Sequence, residues 1–248
     1  MDVIIDKLNK GRKTILEYVK NDYDISNVPL FTEKEIEQIY DDRDGDKDLF
    51  DILGSAYSLK LDLKHKKIPS HMIHVIFLNF APFGKDSTKV SSKTLKEKII
   101  TIYDKYFNDF DSLIIIIPES INEGLLKSIN DINLHFQYDI RDKELTSEIM
   151  GEMRKNNNIL QKKHFQNVTL FSLSEVCVNL SKHRLVPKHD AIRDEREISD
   201  ILTGLNSSRM QLPIIIKTDI QSRIIRLSPG DLCKIKRRDG SIFYRLCR

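Results

Sequence analysis

Turn signals divide the C-terminal stretch of the chain into short strands, and this constrains the fold more than any other feature of the sequence. Pro213 cannot donate a hydrogen bond to a sheet, so it is expected to begin or precede a strand. The β-branched run at 214–216 suits a buried strand. The Pro-Gly pair at 229–230 marks a turn, and the Asp-Gly pair at 239–240 marks a two-residue hairpin turn. The stretch therefore predicts a small, mostly antiparallel sheet.

A helix is expected to precede this sheet. Apolar residues between Ile192 and Leu205 recur at helical spacing, and acidic residues stand near the start, where the helix dipole favours them. Gly204 or Asn206 could end the helix. A unit of about sixty residues buries only roughly 60% of the surface of its unfolded chain, and its terminal edge strand is open to pairing. We therefore expect a cover, either from another part of this chain or from a partner protein.

Strands and helices alternate upstream of this module. Thr32 and Glu35 have the spacing of a capping box, and the acidic, glycine-containing residues 41–48 are expected to form a solvated loop. Helical periodicity is found at 3–19, after Thr32, and at 91–110, 120–130, 141–155 and 172–180, and strand-like runs occur at 72–80, 113–117, 134–140 and 167–171. This alternation predicts an α/β sandwich over residues 1–181, followed by a smaller α+β domain at 182–248.

Composition limits the class of protein. Hydrophobic residues make up 40% and charged residues 31% of the 248 residues, as in a soluble protein with a core. No apolar run is long enough for a membrane-spanning helix, and the first residues lack the plan of a signal peptide. The three cysteines have no metal-binding spacing, which favours a reducing compartment. The net charge is +3, with +6 from residue 183 onward, so the basic end could meet nucleic acid or an acidic protein surface.

Few residues offer catalytic or metal-binding chemistry. Asp62 and Lys64 have the Asp-x-Lys spacing of nucleases with a sandwich fold, which need a second carboxylate, such as Asp48 or Asp51, to hold Mg²⁺. The alternative interpretation of this motif is a solvated strand edge. The two histidines within 71–74 would point to opposite sides of a strand, so we expect no shared metal. The sequence has no Gly-rich phosphate loop and no nucleophile with an adjacent base.

The C-terminal stretch also resembles a known family. The residues that carry the resemblance are those at 185–189, 211–219, 227–231, 233–236 and 243–246. They are similar to the assembly domain of the fifth-largest subunit of eukaryotic nuclear RNA polymerases and to its archaeal counterpart. Upstream of Phe171 the similarity is one of element order and length.

The resemblance implies a non-catalytic subunit of a multisubunit DNA-directed RNA polymerase, with no cofactor, metal site or catalytic residue of its own. The C-terminal domain would anchor the chain to the largest subunit and lie beside other subunits, including a small shared one. The N-terminal sandwich would be a jaw domain with a restriction-endonuclease-like fold. Its contacts with downstream duplex DNA would be to phosphates and independent of sequence, through residues that the resemblance does not identify. Such a protein would act in the nucleus if cellular, or in the host cytoplasm or virion if virus-encoded, without membrane contact.

The resemblance further implies a set of partner-binding residues. They are Pro187, His189, Gln211, Leu212, Pro213, Asp219, Arg223, Gly230, Tyr244 and Arg245. Tyr244 and Arg245 are adjacent on the terminal strand and must face opposite sides of the sheet. We expect Tyr244 to pack inside and support the fold, and Arg245 to face outward and support assembly. The alternative is that Arg245 pairs with Asp219 or Asp231 within the module.

The chain departs from the family pattern at several places, which include the turn at 227–230 and a somewhat longer jaw. Asp219 is followed by Ile220 rather than by proline, Arg226 stands where the family has glycine, and the final hairpin is a few residues shorter. These departures point to a divergent member, such as one encoded by a large DNA virus. The alternative from another class is the Mg²⁺-dependent nuclease, built on the N-terminal sandwich.

Overall fold

Contacts divide the protein into two units, each of which is described by itself. The computed structural model describes residues 2–42, 45–156 and 160–248. One unit comprises Met1–Asp139 with Gln166–Val178, and the other comprises Ile140–Phe165 with Asn179–Arg248. This division differs from the predicted domains in assigning residues 140–165 and 179–181 to the second unit. Whether residues 182–248 fold independently stays a prediction.

The first unit is built on a four-stranded sheet. Its strands are β1 (Leu61–Lys64), β2 (Met72–Phe77), β3 (Ser112–Ile117) and β4 (Val168–Ser172), in the order β1-β2-β3-β4. β1 runs antiparallel to β2, whereas β2, β3 and β4 are parallel. All six residues of β3 are buried, as its continuous apolar run indicates for a central strand covered on both faces.

Helices cover this sheet. They are α1 (Asp2–Val19), α2 (Glu33–Ile39), α3 (Lys47–Leu53), α4 (Ser92–Tyr106), α5 (Glu123–Asp142), which continues into the second unit, and α7 (Leu173–Val176). The predicted capping box of α2 is confirmed, because Glu35 N donates to Thr32 Oγ1 and Thr32 N donates to Glu35 Oε2. α3 was not predicted. It begins inside the predicted loop at 41–48, where the Asp46 carboxylate accepts from Leu49 N, and residues 43–44 of that loop lie outside the described residues.

The predicted strand at 134–140 is wrong, because α5 continues through it. The reason lies in the spacing of the buried side chains. Leu125, Ile129, Ile132 and Phe136 are buried at intervals of three and four residues, which places them on one helix face. Leu134 is 59% exposed and Tyr138 is 70% exposed on the other side. The apolar residues that imitated a strand therefore belong to two faces of a helix.

A second four-stranded sheet forms the core of the second unit. Its strands are β5 (Lys188–Ile192), β6 (Ile214–Ile215), β7 (Leu232–Lys236) and β8 (Ile242–Cys247), in the order β5-β7-β8-β6. The β5–β7 and β7–β8 pairs are antiparallel, as predicted, but β6 runs parallel to β8. The helices of this unit are α6 (Ser147–Lys155), α8 (Glu195–Gly204) and α9 (Ile220–Ile224).

Two boundaries in this unit differ from the sequence-based expectation. Ile192 ends β5 and does not begin the helix, because the Asp194 carboxylate accepts from Arg196 N and caps α8 at that point. The hairpin turn has three residues rather than two. Arg237 N donates to Ser241 O and Gly240 N donates to Arg237 O, with Gly240 at a φ of 83°. Such a turn also uses Gly at its left-handed position, so the Asp-Gly pair did not distinguish the two lengths.

Among the described residues, no helix is both long enough and apolar enough to cross a membrane.

Candidate partner-docking site

The two faces of the second sheet are covered differently. One face packs under α8 and buries Ile192, Ile198, Leu232 and Leu246, with Tyr244 partly buried against them. The opposite face holds a second small cluster, which consists of Ile215, Leu227, Cys233, Ile235 and Cys247. The burial of Cys233 and Cys247 raises the pKa of each thiol to about 12, so both behave as apolar core residues.

Tyr244 and Arg245 face opposite sides of this sheet, as predicted. Tyr244 packs in the cluster under α8, whereas Arg245 pairs with Cys233 across the other face and is exposed. Among the described residues, Arg245 does not form the alternative ion pair with Asp219 or Asp231. The carboxylate of Asp219 accepts from Gln221 N at the start of α9, and the carboxylate of Asp231 is held by other residues. The role of Arg245 in assembly stays a prediction.

Asp231 is the most deeply buried charge of the second unit, with 0% of its surface exposed. Lys163 Nζ lies 2.8 Å from its carboxylate, His164 Nε2 lies 3.0 Å from it, and Ser228 N donates to it over 2.9 Å. His164 Nδ1 accepts from Gln161 N, so its Nε2 carries the proton that is donated to Asp231. This network ties residues 161–164 to the turn that precedes β7.

The charge states within this network follow from burial and hydrogen bonding. Burial opposes ionisation of Asp231, but the hydrogen bond from His164 and the charge of Lys163 outweigh it and lower the pKa of the carboxyl. Burial lowers the pKa of His164, which favours its neutral form. The pair therefore consists of a carboxylate and the Lys163 ammonium, with a neutral imidazole as additional donor. Part of the cover that the module needs thus comes from this chain.

The Pro-Gly turn has the predicted form. Asp231 N donates to Ser228 O over 3.0 Å, which places Gly230 at the third position of the turn, and Gly230 has a φ of 90°. A Cβ at this position would lie 3.3 Å from Lys163 Nζ. The backbone conformation therefore favours glycine, and a Cβ here would also require a small shift of the Lys163 side chain.

Gly230→Val is expected to lower the free energy of unfolding by about 1–3 kcal/mol, because a β-branched residue is strained at positive φ. Urea denaturation of the full chain measures this. Gly151→Val is the matched control, since Gly151 lies in α6 without positive φ and a Cβ there would meet no atom within 4 Å. Coincident unfolding curves for Gly230→Val and the parent protein would contradict the turn assignment.

The predicted partner-binding residues are spread over both edges of the second sheet, and their role stays a prediction. His189 lies on β5 at one edge of the sheet, and Gln211, Leu212 and Pro213 lie just before β6 at the other edge, with β7 and β8 between them. His189 Nδ1 donates to Pro187 O over 2.8 Å, and Arg223 is half-buried in α9. Gln211 caps a 3-10 turn through its side-chain oxygen, which accepts from Ser208 N.

Exposed apolar residues mark surfaces that sequence reasoning missed. The run at 214–216 was expected to be buried, but only Ile215 is, because β6 is a two-residue edge strand. The large exposed side chains of the second unit near the sheet are Met210, Ile214, Ile216, Ile242 and Phe243. A signal for β6 was present in the sequence, since Pro213 before the strand is typical of an edge.

The residues proposed for a nuclease are engaged in another way. Asp62 lies 2.6 Å from His74 Nδ1, and His74 Nε2 lies 3.3 Å from Asp111. His71 instead contacts the Tyr23 hydroxyl and a main-chain oxygen, so the two histidines have different partners. Within the described ranges, no group of three or more His, Cys, Asp or Glu residues is arranged to hold a metal ion.

The helix α8 packed on a small mixed sheet, with exposed apolar and basic residues at its hairpin, places the second unit among small α+β domains. Residues 178–247 match the family described as RNA polymerase Rpb5, C-terminal domain. The chain is 39% identical over 71 residues to the DNA-directed RNA polymerase subunit Rpo5 of Archaeoglobus fulgidus, which covers 27% of this chain and 92% of that subunit. The chain therefore belongs to the Rpb5/Rpo5 family of RNA polymerase subunits.

Eukaryotic relatives extend this comparison. The chain is 37% identical over 81 residues to the DNA-directed RNA polymerases I, II, and III subunit rpabc1 of Dictyostelium discoideum, which covers 31% of this chain and 41% of that subunit. It is 23% identical over 160 residues to DNA-directed RNA polymerase subunit 5-like protein 1 of Arabidopsis thaliana, which covers 62% of this chain and 73% of that protein. The resemblance that the C-terminal residues carried is thus confirmed.

Proposed function

We propose that this chain is a non-catalytic subunit of a multisubunit DNA-directed RNA polymerase and that its second sheet docks on the largest subunit. The observation that carries this proposal is the match of residues 178–247 to a polymerase-subunit domain. Relatives from archaea and eukaryotes are likewise named as polymerase subunits. The comparisons give no support to the nuclease alternative, and the engagement of Asp62 by His74 leaves that carboxylate occupied.

The first unit would serve as the jaw beside downstream duplex DNA. A polymerase must translocate over any template, so contacts there would be to phosphates and independent of sequence. The small shared subunit and the other polymerase subunits would be further neighbours. The nucleus is the expected location in a cell, and the host cytoplasm or virion is the expected location for a virus-encoded protein. The naming of the Dictyostelium relative as a subunit of polymerases I, II and III supports the nuclear assignment.

Arg245→Ala is expected to separate assembly from folding. Because Arg245 is exposed, its removal should leave the melting temperature of the chain nearly unchanged and reduce recovery of the largest polymerase subunit. Tyr244→Ala should instead lower the free energy of unfolding by roughly 1–3 kcal/mol, because its ring is partly buried under α8. Thermal melts and affinity purification of the tagged chain measure the two effects. Lys236→Ala is the control, as another exposed cation of the hairpin. Equal recovery with Arg245→Ala and the parent would refute the assigned role.

A further inference from the structure

The turn end of the β7–β8 hairpin combines an exposed aromatic ring with arginines. Phe243 is 42% exposed, and the guanidinium of Arg237 lies 3.9 Å from the centre of its ring. Arg245, two residues along the same strand, shares the face of Phe243. Ile235 on β7 lies opposite Phe243, and His189 on β5 lies opposite Ile235. We call Arg237, Phe243 and Arg245 the Arg-Phe patch.

The hairpin carries a large excess of positive charge. Residues 232–248 contain six basic residues and one acidic residue. The acidic residue is Asp239, whose carboxylate accepts from Ser241 N and Ser241 Oγ and therefore caps the turn. The hairpin itself is thus basic, and its one carboxylate is already bonded.

The chemistry of the Arg-Phe patch favours an acidic protein segment. Guanidinium groups bind carboxylates with two parallel hydrogen bonds, and the stacking of Arg237 on Phe243 restricts its conformations before a partner binds. An exposed phenylalanine beside arginines is the composition of protein-interface centres. Single-stranded nucleic acid would need free aromatic faces for its bases, but Arg237 already covers a face of Phe243.

We propose that the Arg-Phe patch binds an acidic segment of the polymerase partner, with carboxylates at Arg237 and Arg245 and an apolar side chain packed against Phe243. This inference rests on the proposed function, because it specifies how the docking surface recognises that partner. It adds Arg237 and Phe243 to the set of partner-binding residues that the family resemblance implies.

A peptide titration tests the inference with the full chain. The probe is a short fluorescein-labelled peptide of alternating Glu and Leu, and its binding is followed by fluorescence anisotropy. The double variant Arg237→Glu, Arg245→Glu is expected to weaken binding at least about tenfold, because charge pairs become repulsive. Phe243→Ala leaves the net charge unchanged and is expected to weaken binding by about fivefold to tenfold through loss of the apolar contact.

The control keeps the charge change and moves it away from the patch. Lys188 and Lys236 are exposed and are paired across β5 and β7, on the face opposite Phe243. The double variant Lys188→Glu, Lys236→Glu is expected to weaken binding less than about threefold, since only the general field is reduced. Melting curves of each variant confirm that it is folded. All these substitutions lie at exposed or partly exposed positions, and the conservative pair Arg237→Gln, Arg245→Gln provides a second test should the glutamate variant unfold.

Three outcomes would overturn the inference. Equal losses in the two double variants would show a non-specific charge effect, and unchanged binding by Phe243→Ala would remove the apolar contact. Tighter binding of a single-stranded oligonucleotide than of the peptide, lost in the Arg-Phe patch variants, would reassign the patch to nucleic acid. Each of these leaves the proposed function intact if the parent chain still recovers polymerase. Failure to recover polymerase would refute the proposed function whatever the peptide result.

Discussion

Asp231→Ala is expected to lower the free energy of unfolding by about 3–5 kcal/mol, the range found when one partner of a buried ion pair is removed. The substitution leaves the Lys163 ammonium with only the more distant carboxylate of Glu195, at 3.9 Å, and it deprives His164 Nε2 and Ser228 N of their acceptor. Each unsatisfied donor adds to the loss. Urea denaturation of the full chain, followed by circular dichroism, measures the change.

Asp190→Ala is the matched control for Asp231. Asp190 also pairs with a lysine, Lys188, at 3.1 Å, but the two side chains are 44% and 72% exposed, so its removal should cost less than about 1 kcal/mol. Similar losses for the two variants would contradict the account of Asp231. The same network predicts that a fragment of residues 182–248 is less stable than the intact second unit, because the fragment lacks Lys163 and His164.

His74→Gln is expected to lower the free energy of unfolding by roughly 2–4 kcal/mol near pH 6, with a loss that shrinks as the pH rises. Both ring nitrogens of His74 face carboxylates, Asp62 at 2.6 Å and Asp111 at 3.3 Å, so both must donate and the ring must be protonated. The ring also stacks on Phe107 with centroids 3.8 Å apart. Glutamine cannot supply a charge to either carboxylate.

The pH dependence follows from the direction of the pKa shift. Burial opposes the charged ring, but the hydrogen bonds to Asp111 and Asp62 outweigh it and raise the pKa of His74 above 6.5. A raised folded-state pKa gives stability that is fully present below 6.5 and is lost as the pH rises through the folded value. The pKa values of Asp62 and Asp111 are lowered, so their contribution is present above 3.8 and is lost in more acidic solution.

Unfolding free energies of the parent and His74→Gln between about pH 5 and pH 9 test this pH dependence. Their difference should be largest near the acidic end of neutrality and should narrow at alkaline pH. His135→Gln is the control, because His135 and its partner Asp139 are exposed on α5 and their pair should contribute less than about 0.5 kcal/mol. A difference that is constant over this range would contradict the protonated state of His74.

Local patterns in the sequence predicted the elements whose signals are local. The capping box at Thr32, the buried strand β3 and the Pro-Gly turn at Gly230 each depend on neighbouring residues, and all three are confirmed. The misassigned part of α5 shows the limit of such patterns. Residues 134–140, taken without the helical residues before them, contain enough apolar side chains to resemble a strand. Their helical periodicity becomes visible only over the full length of α5.

Contacts between distant residues could not be predicted from the sequence. The pairing of Asp231 with Lys163 and His164 joins residues far apart in the chain, 67 positions in the case of His164, and no local spacing indicates it. The same holds for His74 between Asp62 and Asp111. From the sequence, His74 is considered only as a possible metal ligand, and His164 is not singled out. In the structure, each of these histidines hydrogen-bonds to a buried carboxylate.

The departure at Arg226 has a conformational consequence. Arg226 has a φ of 52°, the left-handed region in which glycine is free of strain and other residues lose roughly 1 kcal/mol or more. The backbone at this position thus has a conformation that suits glycine, the residue that the resemblance implies here.

Purification of the tagged full chain from its native source, with mass-spectrometric identification of what accompanies it, tests the central claim most directly. The account predicts recovery of the largest RNA polymerase subunit together with other polymerase subunits, at amounts comparable to the chain itself and reduced by Arg245→Ala. Recovery of a folded chain without any polymerase subunit would contradict it.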